Sequence, residues 1–239
     1  QDDRLFQRIE LMAELAPLIA VIGCDGSGKS TLSSDLLEWI RLRYGPAETH
    51  YLGLRSGQLG NRIKAVPLVG PVFERYLSKR AGQARTRGGK IPGLATALVI
   101  YAFSLLRRHR FRKVLGLRRH GFIVVTDRYP QVDVPGFYDG PGLSAAQPGG
   151  RIVAALAARE RAIYEWMASY VPDLVIRLNV DVETALVRKP DHGVDLLKAK
   201  VAVTPFLKFN GARIIDLDAT MPYAEELAAA QKAVADVLG

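Results

Sequence analysis

Cysteine is almost absent from this 239-residue chain. Cys24 stands alone, so no internal disulfide framework can form, and a reducing cytoplasm is the expected setting. Long apolar runs are missing as well. The longest uncharged stretch, 91–106, has 16 residues and contains the apolar run Leu94–Leu106, whereas a membrane-spanning helix needs about 18 or more. No signal-peptide pattern and no repeat of 20–50 residues is visible. Acidic residues are scarce in one long block: from Arg41 to Arg119 only Glu48 and Glu74 face 18 Lys and Arg, giving +16 there. The formal net charge is +9, so the rest of the chain carries −7. A charge so unevenly placed points to an anionic partner on one side of the molecule.

Hydrophobic residues make up 49% and charged residues 24%, ordinary values for a globular chain with a real core. Five short apolar runs read as strands: Leu18–Ile22, Thr49–Leu52, Phe122–Thr126, Leu174–Leu178 and Arg213–Leu217. Helical patterns lie at Lys29–Arg43, Arg151–Tyr170 and Tyr223–Leu238. Apolar strands alternating with helices predict a parallel sheet covered on both faces. Leu94–Leu106 is apolar nearly all round and reads as a buried helix; joined to the basic run Arg107–Arg119 it would instead be one surface-seeking helix. The basic run is expected to be a solvated face, or a surface for phosphates, anionic lipid or a polyanionic glycan. Gly and Pro fill half of Pro135–Gly150, which predicts a mobile loop.

The strongest pattern is Gly23-Cys-Asp-Gly-Ser-Gly28-Lys29-Ser30, a match to G-x-x-x-x-G-K-[ST], the Walker A or P-loop motif, between the first strand and a helix. Glycines at 23, 26 and 28 let successive backbone N–H groups point at one phosphate. The helix N-terminus adds its positive end. Lys29 would reach the β/γ-phosphates of a nucleotide and Ser30 would ligate Mg²⁺. Cys24 within the loop reads as a small residue that fits. GTPase signatures are absent: no Asn-Lys-x-Asp occurs, and Asp127-Arg-Tyr-Pro130 is not Asp-x-x-Gly. Asp127, at the end of the third strand, is placed to hold Mg²⁺ or its water, and Arg128 to clamp a transferring phosphoryl group.

Gly23 to Thr31, then Asp127-Arg128-Tyr129 after a strand, then Pro172-Asp173-Leu174 and Asn179-Val-Asp181-Val-Glu183-Thr-Ala-Leu186-Val-Arg188 together resemble the thymidylate-kinase-like branch of the nucleoside monophosphate kinases. The resemblance spans about Leu18 to Arg188. It implies a P-loop NTPase fold with a five-stranded parallel sheet in one kinase domain. It also implies an ATP·Mg²⁺ donor and a basic lid at about residues 187–200, beginning with Arg188 and Lys189. By the same resemblance Asp25 faces the acceptor. The thymidylate-kinase Arg-Glu-Pro after the second strand is replaced by His50-Tyr-Leu-Gly-Leu-Arg55, leaving Arg55 as the candidate for acceptor phosphate. The thymidine signature after Asp-Arg-Tyr is replaced by Pro130-Gln-Val-Asp133, so dTMP is not the expected acceptor. Divergent members found with polysaccharide-biosynthesis enzymes share an acid shortly after Asp-Arg-Tyr and an Arg-Lys-Pro lid, as at Arg188-Lys189-Pro190.

The expected site is therefore Asp25, Gly26, Ser27, Gly28, Lys29, Ser30 and Thr31 on the donor phosphates, and Ser30 with Asp127 on the metal. Lys29, Asp127, Arg128 and Arg188 are the catalytic candidates, and Asp25, Arg55, Arg128 and Asp133 the acceptor-facing ones. Arg159 and Arg161 read as surface groups, and Asp133 and Asp139 equally as loop caps. A phosphate acceptor needs cationic clamps, whereas a hydroxyl acceptor needs a base; the sequence offers both sets. Three readings stay open: a kinase for a nucleoside-monophosphate-like or another anionic small molecule; a kinase for a sugar or lipid-linked glycan hydroxyl; and an ATP-binding regulatory or scaffold protein docked to a polyanion or, through 107–119, to an anionic membrane surface, peripheral to the inner face. A homodimer is compatible with all three, and no specific nucleic acid partner is expected.

Overall fold

The computed structural model describes residues 15–53, 93–137, 139–145, 150–189 and 194–239. Arg55 and half of the Lys and Arg of the basic block between Arg41 and Arg119 lie outside them. Five strands, β1 (Leu18–Gly23), β2 (Ala47–Tyr51), β3 (Ile123–Asp127), β4 (Leu174–Asn179) and β5 (Ile214–Asp218), form one sheet in the order β2-β3-β1-β4-β5. Every pairing is parallel. This is the α/β P-loop NTPase architecture expected from the sequence. The strand boundaries move by only one or two residues.

All six residues of β1 are buried, as a central parallel strand covered on both faces requires. Successive side chains alternate between layers. Ile19 and Val21 pack with Leu32, Leu36 and Ile40 of α1 (Lys29–Tyr44) and with Ala230 and Val234 of α6 (Tyr223–Leu238). Leu18, Ala20 and Ile22 face the other way, toward Phe111 and Val114 of α2 (Leu94–Arg119) and Ile163 and Met167 of α3 (Arg151–Ala168). Two short helices, α4 (Val182–Arg188) and α5 (Val194–Val203), follow β4 in the region read as the lid.

The apolar run and the basic run are one helix, α2, of 26 residues. The apolar part is not buried all round, since Leu94 and Leu98 are exposed. The basic part is not a uniformly solvated face either. Arg107 and Arg118 are only 2% and 5% exposed. Their spacing explains this: they continue the buried stripe Ile100, Phe103, Phe111, Val114 and Leu115 at the helical period. Arg118 donates from Nε to Ala16 O (2.5 Å) and from Nη2 to Asp173 (3.2 Å). The same Asp173 accepts from the Leu18 amide at 2.7 Å, so Arg118 ties the end of α2 to the starts of β1 and β4. Among the described residues no helix is long and apolar enough to cross a membrane.

The loop after β3 is pinned where it is described. Glu160, fully buried on α3, accepts from the amides of Gly142 (3.1 Å) and Leu143 (2.7 Å) and from Ser104 Oγ of α2 (2.7 Å). Gln131 Nε2 donates to Val134 O and Phe137 O, at 2.9 and 2.6 Å. Composition predicts mobility from Gly and Pro content alone; these tertiary hydrogen bonds override it over the described part.

Candidate functional site

The P-loop is built where β1 ends and α1 begins. Gly26 and Gly28 adopt φ of +90° and +88°, the left-handed region that favours glycine. A Cβ on Gly26 would also stand 2.9 Å from Ala185 O, so the loop can lie against α4 only without a side chain there. Helix α1 has no side-chain cap at Gly28 and no acid in its first turn. Its positive end therefore opens toward the loop, where an anion is stabilised.

Lys29 is 7% exposed, and its Nζ donates to Cys24 O across the loop at 2.6 Å. Burial, reinforced by Arg128, pulls its pKa down to about 8, against the pull of Asp25 and Asp127. Cys24 is buried against the α1 layer, and burial pushes its thiol upward, in keeping with a small residue that fills space. Ser27 is buried while Ser30 and Thr31 are exposed.

Strand register brings the second motif alongside. Val21 pairs with Asp127 and Tyr51 pairs with Asp127 from the other side. Ser30 Oγ donates to Asp127 Oδ2 at 3.1 Å. The other oxygen, Oδ1, is buried without a hydrogen-bond partner, an uncommon and costly state for a carboxylate oxygen. Arg128 follows at φ +73°. Its Nη2 donates to Asp25 Oδ1 (3.0 Å) and its Nη1 to Asp139 Oδ2 (3.5 Å), while its guanidinium lies 6.0 Å over the Tyr51 ring. Burial opposes the charge, yet Asp139, Tyr51 and Asp25 hold the guanidinium above the ordinary arginine value. A small cavity beside it is lined by Ile22, Gly23, Arg128, Tyr129, Asp139 and Phe209.

Lys200 of α5 completes the set, and sequence reasoning missed it. Its Nζ donates to Asp25 Oδ2. Burial would raise the Asp25 carboxyl, but Lys200 and Arg128 outweigh it and hold the acid well below the usual carboxylate range. The faint signal in the sequence is a pair of lysines, Lys198 and Lys200, in a decapeptide that is otherwise apolar but for Asp195.

Other expected residues lie differently. Arg188 lies against the P-loop backbone: Nη1 donates to Gly26 O (3.3 Å) and Nη2 to Ala219 O (2.9 Å), bracing the P-loop against the turn after β5. Lys189 is exposed as the C-cap of α4. Asp133 Oδ2 accepts from the amides of Lys208 and Phe209, at 2.9 and 3.0 Å. Its carboxylate caps the turn at 208–211, where Phe209 and Asn210, both at positive φ, leave amides that need an acceptor. Arg159 and Arg161 are exposed on α3. Asp139 is a loop residue turned to a charged role between Arg128 and Arg107.

A glycine-rich loop that opens a helix after the central strand of an all-parallel sheet, with an acid ending the adjacent strand, defines a P-loop α/β protein. No family model matches the chain. Over 218 residues it is 47% identical to YghS of Escherichia coli K12, described as an uncharacterized ATP-binding protein, covering 91% of this chain and 92% of that one. It is 46% identical, over 91% of its length and 86% of theirs, to the YghR proteins of strains K12 and CFT073, which carry the same description. The chain belongs to this YghS/YghR family.

Proposed function

We propose that the protein is an ATP- and Mg²⁺-dependent phosphotransferase that moves the γ-phosphoryl group to an anionic small molecule of the nucleoside-monophosphate class other than dTMP. The observation that carries this reading is the convergence of Lys29, Arg128 and Lys200 on the mouth of the P-loop, beside the Ser30–Asp127 contact. Transfer of a phosphoryl group is catalysed mainly by positioning and charge neutralisation, and three cations from three separate elements supply both. The relatives' description as ATP-binding proteins supports ATP as the donor.

The Ser30–Asp127 pair fits Mg²⁺. This ion binds with few protein oxygens and keeps water and phosphate for the rest. Ser30 Oγ, Asp127 Oδ2 and the unpartnered Asp127 Oδ1 are such a set. Among the described residues no cluster of three or more His, Cys, Asp or Glu competes as a metal site. Bound there, Mg²⁺ would neutralise charge on the β- and γ-phosphates. Lys29 would exchange its Cys24 carbonyl for phosphate oxygens. Arg128, fixed by Asp25 and Asp139, would meet the charge developing on the transferring group.

The state of the carboxylates supports an acceptor that is already ionised. A hydroxyl acceptor needs a proton taken away. Asp25 is clamped by Lys200 and Arg128, Asp139 by Arg107 and Arg128, and Asp133 by two backbone amides. Asp127 belongs to the metal set. None of these acids is left poised as a base. The test is a transfer assay with γ-labelled ATP and Mg²⁺ against nucleoside monophosphates, sugars and lipid-linked glycans. Label on a monophosphate is expected; label confined to hydroxyl acceptors would overturn the acceptor class, and ATP binding without transfer to any acceptor would leave a scaffold.

A further inference from the structure

Arg107 is the most deeply buried cation among the described residues, at 2% exposure, and it belongs to no motif. Burying a charge is costly, and replacing a buried ion pair with well-packed apolar groups is often neutral or stabilising. The stripe of α2 around it is apolar: Ile100, Phe103 and Phe111. Stability alone gives little reason for an arginine there.

Its contacts give a different reason. Nη1 donates to the backbone carbonyl of Asp139 (2.7 Å) and to the Tyr164 hydroxyl (2.9 Å), and Nη2 donates to Asp139 Oδ1 (2.5 Å). One planar guanidinium thus grips both the main chain and the side chain of Asp139, a geometry that lysine cannot reproduce. Asp139 stands at φ +65°, a strained conformation for a residue with a Cβ, which must be held by its surroundings. The grip leaves Asp139 Oδ2 facing Arg128 Nη1. Glu160 holds the following residues of the loop through the amides of Gly142 and Leu143. A continuous path therefore runs Arg107–Asp139–Arg128–Asp25–Lys200, alternating in charge from α2 to α5.

We propose that Arg107 is a positioning residue: through Asp139 it fixes the orientation of Arg128 for the γ-phosphoryl group of the donor. The proposal rests on the donor-site reading above, in which Arg128 meets that group. It predicts an effect on the third phosphate and none on the rest of the nucleotide.

The test compares the affinities of Mg·AMP-PNP and Mg·ADP by calorimetry, which needs no acceptor. Wild type is expected to prefer the triphosphate analogue. Arg128→Ala should lose that preference by roughly tenfold, the size of a charged hydrogen bond lost. Arg107→Met should lose nearly as much with ADP affinity unchanged, and the double variant should lose no more than Arg128→Ala alone, because both act through one group. Additive losses, an unchanged preference in Arg107→Met, or equal weakening of ADP would overturn the proposal. So would a wild type without triphosphate preference. If Arg107→Met does not fold, Asp139→Asn decides: the same selective loss supports the path and an unchanged preference removes it. Failure of the kinase reading is seen separately, as no transfer from γ-labelled ATP despite the expected affinity ratios.

Discussion

The two principal cations of the site are treated in opposite ways. Lys29 is buried against a backbone carbonyl, and burial lowers its pKa to about 8. Arg128 lies between two carboxylates that hold its charge above the ordinary value. The first is a charge held at a cost, stabilised when an anion arrives. The second is a charge already satisfied, whose position is set in advance. On the proposed reading, the donor end would gain affinity by filling an electrostatic demand, while the far end would contribute orientation. Preset orientation costs no reorganisation when charge develops.

The largest effect should come from the unsatisfied cation. Lys29→Ala is expected to weaken Mg·ATP binding by about a hundredfold, the loss of charge-assisted hydrogen bonds in a dry loop. Lys200→Ala, which removes a cation already paired with Asp25, should cost several-fold less. Equal losses in calorimetric titrations would erase the distinction between the two ends.

The P-loop was legible in the sequence because its geometry is local. Gly26, Gly28, Lys29 and Ser30 act through one turn of backbone, and Asp127 through the end of a strand whose apolar run announces it. The network around Arg128 was not legible. Arg107 reaches Asp139 across 32 positions and Lys200 reaches Asp25 across 175, distances at which composition and periodicity are silent. Local composition even misleads: Arg107 sits beside Arg108 and reads as part of a solvated run until the stripe of Phe103, Phe111 and Val114 is seen to include it. Asp133 and Asp139 are alike in sequence, six residues apart in one loop. Only the turn at 208–211 and the guanidinium of Arg107 separate a cap from a charge partner. Strand β2 was read late because Ala47–Tyr51 is half polar, as an edge strand can be.

A change of pH should separate the two cations more finely. Lys29 in the free protein titrates near pH 8, below its ordinary 10.5. Phosphate oxygens favour the charged amine and raise that value on binding. Below pH 8 both states are protonated, so this group gives no pH dependence. Above it, binding takes up a proton, and affinity should fall by up to about tenfold per pH unit. Arg128, which stays charged throughout, adds nothing to this slope. Titrations at pH 7 and 9, in buffers of different ionisation enthalpy, should show proton uptake at pH 9 alone. Uptake that persists in Lys29→Met would assign it to another group.

The smallest effect is expected from the cations of α2 that remain outside. Arg112, Lys113 and Arg119 are exposed, and the Arg112 guanidinium lies 5.9 Å from the Trp166 ring. Exposed substitutions usually change stability by no more than about 0.5 kcal/mol each, and an exposed cation–π contact adds about 0.5–1 kcal/mol. Replacing all three with Gln should therefore lower stability by about 1 kcal/mol and leave nucleotide affinity within about twofold, since water and salt screen charge at that distance. The inner cation of the same helix, Arg107, should instead change triphosphate preference while its neighbours do not. One helix would then carry two kinds of arginine that composition cannot tell apart: an outer kind whose field is spent on solvent, and an inner kind whose carboxylate partner Asp139 passes its position to the site. If the triple variant lost triphosphate preference as Arg107→Met is expected to, the outer face of α2 would be part of the site, and the burial of Arg107 would not be what matters.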